Sequence, residues 1–262
     1  MTWIDALFLG LVQGLAEFLP ISSSGHLELA HVLLGTRQAE NLTFSVALHG
    51  ATVLATLIVF WAEIVRLIKG AAAKGRNAEK DYILKIALSM IPIVIVGLFL
   101  KNWIESFFRG RLLAVGLFFL LTATLLALAS FKKPGSRDIS FLDALVMGMA
   151  QAAAVMPGLS RSGSTIATGM LQGNRREDLA KFSFLMPIVP ILGANLLELW
   201  KGQFSSAAIG WLPLAVGFLA AFGMGLLTCR WMIRLVRRGK LAGFAVYCLA
   251  AGLAVILFSI LK

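Results

Sequence analysis

Glu17, Ser23 and His26 stand close together in one passage of the chain, and Arg161 stands in another. A carboxylate, a hydroxyl and an imidazole so placed are the groups from which a nucleophile and its proton handlers are built. Ser23 and His26, three residues apart, suit nucleophile and acid/base in either assignment. Arginine carries a planar fork that grips a phosphate through two hydrogen bonds. Around Arg161, the segment Pro157-Gly-Leu-Ser-Arg-Ser-Gly-Ser-Thr165 adds the hydroxyls of Ser160, Ser162 and Thr165. The helix expected to follow them offers a positive N-terminus to an anion. Gln13 lies four residues before Glu17, so both share one helix face. An ion pair between Arg161 and Glu17 that locks the two passages is the structural alternative to a phosphate clamp, and both hold if the pair opens for substrate.

The two passages are versions of one another. Asp5-Ala-Leu-Phe-Leu-Gly-Leu-Val-Gln-Gly-Leu-Ala-Glu-Phe-Leu-Pro-Ile-Ser-Ser-Ser-Gly-His26 returns 138 residues later as Asp143-Ala-Leu-Val-Met-Gly-Met-Ala-Gln-Ala-Ala-Ala-Val-Met-Pro-Gly-Leu-Ser-Arg-Ser-Gly-Ser164. Each is an apolar helical run that stops at Pro and a Ser/Gly-rich tip. The first return stretch, Leu27–Leu34, is about 12 Å long as a helix, too short to cross a bilayer. A re-entrant hairpin is therefore expected at each passage, with an irregular tip from Ser22 to His26. Such backbone is tolerated at membrane depth only where protein buries it or it lines a cavity.

The surroundings are apolar. The chain has 262 residues, 59% hydrophobic and 14% charged, against about 25% charged in a soluble domain. Six segments read as full spans: 43–62, 82–100, 112–131, 179–200, 211–233 and 241–261. Three spans separate the hairpins, so the second enters from the opposite side. The fold expected is an all-α polytopic membrane protein, an inverted-topology repeat with six spanning helices and two re-entrant helical hairpins. It forms one membrane domain, 1–262, with halves 1–131 and 139–262.

Charge sets the orientation. The loops 63–81, 132–140, 173–178 and 234–240 hold fourteen Lys and Arg, against six at the other ends. The richer side is expected in the cytoplasm. The net charge of +11 thus belongs to topology and anionic lipid. Nucleic acid is excluded as a partner, because no basic stripe interleaves with aromatics. No cleavable signal is expected, since the N-terminus lacks a basic region and its apolar run carries Asp5, Gln13 and Glu17. Cys229 and Cys248 read as buried small hydrophobes. Glu28, His31, His49 and Glu198 read as loop-edge or packing residues, Gly217–Gly225 as close helix packing, and Pro92, Pro187 and Pro190 as ordinary kinks.

The motifs resemble those of the bacterial undecaprenyl pyrophosphate phosphatase family, the bacitracin-resistance type. Its (Glu/Gln)-x-x-x-Glu motif corresponds to Gln13 and Glu17, and its Pro-x-Ser-Ser-x-Gly-His segment to Pro20–His26. Its Pro-Gly-x-Ser-Arg-Ser-x-x-Thr motif is matched in full by Pro157–Thr165. The resemblance covers nearly the whole chain. It implies hydrolysis of undecaprenyl diphosphate to undecaprenyl phosphate and inorganic phosphate, which recycles the cell-wall carrier lipid. It also implies a plasma-membrane site opening to the external face, and a divalent cation, Mg²⁺ or Ca²⁺. Glu17 and Gln13 would be its ligands, with Gln13 standing where many members have Glu. Ser23, His26, Glu17 and Arg161 are then the expected catalytic residues, with Ser160, Arg161, Ser162 and Thr165 on phosphate. Three nucleophiles remain open: Ser23, His26 or water. So do a homo-oligomer as partner and a second class, a transporter or flippase of polyprenyl phosphate, because broken helices in an inverted repeat also mark transporters.

Overall fold

The computed structural model describes residues 1–34, 38–100, 112–200 and 209–261. The side chain of Glu198 lies outside the described residues, as do Arg37, Lys101, Arg109, Arg111 and Lys201. The described elements are helices: α1 Trp3–Ala16, α2 Ser23–Leu34, α3 Gln38–Val59, α4 Trp61–Ala72, α5 Ala78–Phe99 and α6 Leu112–Phe131, then α7 Phe141–Ala153, α8 Arg161–Leu171, α9 Arg176–Leu185, α10 Ile188–Trp200, α11 Trp211–Arg237 and α12 Ala242–Leu261. Five segments are long and apolar enough to cross a membrane, and a sixth is added if α3 and α4 count as one bent span.

Two of the expected spans are broken. The segment expected at 43–62 stops at Val59 and turns by 73° into α4. α4 carries Glu63, Arg66 and Lys69, charges that oppose straight continuation into hydrocarbon. The segment expected at 179–200 begins at Arg176 and divides between Leu185 and Ile188. Pro187 has no N–H for the carbonyl four residues back, which weakens the helix there.

The hairpins repeat in structure as in sequence. Thr2 and Asp5 form a reciprocal cap at the start of α1, and Ser140 and Asp143 form the same cap on α7. At the tips, Ser22 Oγ accepts the Gly25 N–H at 3.3 Å and Ser160 Oγ accepts the Gly163 N–H at 3.1 Å. Ser22 reaches this position with φ +68°. Helix therefore resumes at Ser23 and at Arg161. The irregular segment is shorter than expected, and Ser23 and His26 lie in the first turn of α2, because Ser22 caps that helix.

Each hairpin's first helix packs against a long helix distant in sequence. α1 lies along α11, and α7 lies along α5. A Cβ on Gly10 would stand 2.4 Å from the Gly217 carbonyl oxygen, and one on Gly148 would stand 2.4 Å from that of Ser89. In lipid, close backbone approach through small residues replaces the hydrophobic drive between helices. Phe119, Met147, Ile166, Phe182 and Met232 belong to the main buried cluster between these layers. Cys229 and Cys248 are buried with free thiols.

Candidate functional site at the hairpin tips

Glu17 is the residue on which the tips converge. It caps the C-terminus of α1, and its N–H donates to the Gln13 carbonyl at 2.9 Å. Its side chain is 6% exposed, so its charge must be met by partners. Arg161 of the second hairpin pairs with Oε1. Ser23 donates its hydroxyl to Oε2 at 2.6 Å, and Gln13 Nε2 donates to the same oxygen at 3.1 Å. His49 of α3 places Nε2 3.9 Å from Oε2.

Ser23 and Arg161 are each the first residue of a hairpin's return helix, 138 positions apart. The same fold position thus presents a hydroxyl from one half and a guanidinium from the other. Both point to a carboxylate that only the first half carries, since Val155 occupies the position equivalent to Glu17.

Cross-bonds hold the tips at this spacing. Ser162 donates its hydroxyl to the Leu19 carbonyl at 3.1 Å, and the Gly158 N–H donates to Ser22 Oγ at 3.2 Å. Thr122 of α6 donates to the Gly158 carbonyl at 3.1 Å and accepts the Ser160 N–H at 3.0 Å.

A narrow cleft lies beside Glu17 and Arg161. Thr52, Thr56, Ser162 and Ser183 also line it, and Phe18, Val53, Phe184 and Ile191 form an apolar wall. Of the hydroxyls expected on phosphate, Ser162 lines this cleft. Ser160 caps α8, and Thr165 donates to the Arg161 carbonyl at 2.9 Å while standing 2.5 Å from Ser183 Oγ. These two brace the arginine's backbone.

His26 does not join the cluster. Its Nδ1 is 2.8 Å from the Ser22 carbonyl oxygen, and its Nε2 is 2.6 Å from the Tyr247 hydroxyl. Ser23 and His26, read from the sequence as nucleophile and acid/base, turn to different partners: Ser23 bonds to Glu17, and His26 to Ser22 and Tyr247.

Gln13 is fully buried, and its Oε1 has no hydrogen-bond partner. Its amide nitrogen is the atom that faces Glu17, so the amide must turn over before its oxygen and the Glu17 carboxylate act as a pair of hard donors. No cluster of three or more His, Cys, Asp or Glu occurs among the described residues. Mg²⁺ commonly takes one or two carboxylates and completes its shell with water and substrate phosphate, so the donors fit such an ion once a phosphate is present.

Sequence reasoning missed Ser183 and Tyr247, and it read His49 as a loop-edge or packing residue. His49 carried a usable signal, because an ionisable residue inside a span raises the question already asked of Glu17. Ser183 stands four residues before the helix-breaking Pro187. Tyr247 carried none, being one aromatic in an apolar helix.

The family profile described as Bacitracin resistance protein BacA matches residues 6–254. An Undecaprenyl-diphosphatase of Parabacteroides distasonis is 52% identical, covering 100% of both chains. One from Bacteroides thetaiotaomicron is 51% identical over 98% of this chain and 99% of its own length. One from Christiangramia forsetii is 45% identical over 99% of each.

Proposed function

The chain belongs to the bacitracin resistance protein BacA family, and from that premise we propose that it hydrolyses undecaprenyl diphosphate to undecaprenyl phosphate and inorganic phosphate. The observation that carries this reading is the shared carboxylate: Ser23 and Arg161, from opposite hairpins, both bond to Glu17. The arrangement suits phosphoryl transfer, where catalysis is mostly positioning and charge stabilisation.

The terminal phosphate displaces Glu17 from Arg161 and takes the guanidinium fork. Glu17 gives up its Arg161 contact and still holds the Ser23 hydroxyl on Oε2 at 2.6 Å, placed to accept its proton. Ser23 Oγ attacks phosphorus while its proton passes to Glu17. The Oγ–P bond forms, and the P–O bond to the lipid phosphate breaks. The departing lipid monophosphate is stable as an anion, with a second pKa of about 6, so no strong acid is needed. Water then attacks the phosphoserine, and Ser23 Oγ leaves with the proton that Glu17 holds. A divalent cation held by Glu17, Gln13 and the substrate would neutralise charge on the phosphate oxygens. His26, one turn along α2, takes a proton from the attacking water and releases it with the product phosphate.

The placement belongs to the same proposal. The halves, 1–131 and 139–262, form an inverted-topology repeat in one membrane domain. The helical positions spaced by 138 residues and the exchanged packing of α1 and α7 support this. The basic loops lie in the cytoplasm of a bacterial inner membrane, and the site opens to the external face. The lipid tail follows the apolar wall of the cleft into the bilayer.

Detergent-purified protein given polyprenyl diphosphate and Mg²⁺ should release inorganic phosphate. Chelation should stop it, and Ser23→Ala should not release it. Lipid binding without phosphate release by the wild-type protein would favour a carrier of polyprenyl phosphate instead. Full turnover by Ser23→Ala would transfer the attack to His26 or water.

A further inference from the structure

We infer that Tyr247 is a positioning residue for His26, one that holds its ring in a single tautomer and orientation. The inference rests on the reading above in which His26 serves proton transfer. His26 Nδ1 faces the Ser22 carbonyl at 2.8 Å. A carbonyl only accepts, so Nδ1 carries the hydrogen. In the neutral ring the lone pair is then on Nε2, which lies 2.6 Å from the Tyr247 hydroxyl. That hydroxyl donates to it. When Nε2 gains a proton, the phenol rotates and its oxygen accepts. One group thus serves both charge states of the ring, and Tyr247 itself neither gains nor loses a proton.

The ring is also held by its faces and edges. Tyr247 lies beside it nearly parallel, with 5.7 Å between centroids and 12° between planes. Phe119 of α6 meets it edge to face at 5.2 Å and 86°. Three separate parts of the chain, the Ser22 carbonyl, α6 and α12, therefore fix its orientation.

Core packing does not account for Tyr247. The buried stripe of α12 is Ala245, Cys248, Gly252 and Val255. Tyr247 lies off that stripe and is 45% exposed. Its hydroxyl nonetheless reaches a ring 221 residues away in sequence. A tyrosine is needed here for its oxygen, and phenylalanine would keep the ring's bulk while removing that oxygen.

Tyr247→Phe is accordingly the test. It should lower kcat about tenfold, the scale of one lost hydrogen bond, with KM unchanged. Side-chain ¹⁵N resonances of the three histidines, recorded in detergent and assigned with His26→Ala, give the second readout. In the wild type, His26 should show a protonated Nδ1 and a hydrogen-bonded bare Nε2. In Tyr247→Phe its Nε2 signal should shift and the tautomers should mix, while His31 and His49 stay unchanged. Wild-type kcat in Tyr247→Phe would overturn the inference, and so would a lower kcat with unmoved His26 resonances. Normal turnover by His26→Ala would remove His26 from the reaction and the positioning role with it, a failure distinguishable because the resonance shift would persist in Tyr247→Phe.

Discussion

At the residue scale, the site depends on the shape of one cation as much as on its charge. Arg161 bonds to Glu17 in the resting protein and, as proposed, to phosphate in the working one. Toward Glu17 it uses one nitrogen, Nη2, but to a phosphate a guanidinium offers two parallel donors, and an ammonium only a point charge. Arg161→Lys should therefore keep the protein folded and lower turnover by about 10²–10³, the effect of losing about 3–4 kcal/mol of transition-state contact. Initial rates on folded, purified variant check this. Near-normal rates would reduce Arg161 to a structural counter-ion. Its companions were partly readable in advance. Glu17, Ser23 and Arg161 announced themselves as polar groups in apolar surroundings, and the structure brings them together. The partners of His26 and the approach of His49 were not readable. Both depend on how helices far apart in the chain are rotated against each other, and no local pattern encodes that azimuth.

At the element scale, the hairpins owe their precision to places where backbone passes close to backbone. Gly158 combines two constraints. Its φ is +98°, and a Cβ there would lie 2.3 Å from the Val115 carbonyl oxygen. Gly158→Ala should destabilise the protein by about 3 kcal/mol or more, seen as a lower midpoint of thermal unfolding in detergent. Gly223 is the control, since nothing lies within 4 Å of the equivalent atom, and Gly223→Ala should leave the midpoint in place. Equal midpoints for the two variants would contradict the argument. The hairpins themselves were legible, because Pro and a Ser/Gly cluster interrupt an apolar run twice at one spacing. The break before Ile188 had a visible cause in Pro187. The bend at Phe60 had a weaker one, the onset of charge at Glu63 inside a run still apolar on one face. The start of α2 at Ser23 was hidden, because it requires a left-handed serine, and serine has no strong local reason to adopt that conformation.

At the scale of the whole molecule, the proposed orientation follows from fourteen basic residues facing six. Single-cysteine labelling from outside intact cells should modify a probe at Gln38 and miss one at Asn77. The reverse pattern would move the site to the cytoplasmic face. The two motif-bearing segments also depend on distant parts of the chain, since α1 rests on α11 and α7 on α5. The Arg161–Glu17 pair joins those segments. Glu17 is thus a tethered rival for the place a substrate anion must take, present at an effective concentration no free ligand matches. Every arriving anion has to evict it, and it stands ready to return when the anion is a spent product. The resting enzyme is its own competitive inhibitor: it gives up ground-state affinity, and free phosphate should clear from the site quickly because its replacement is already attached.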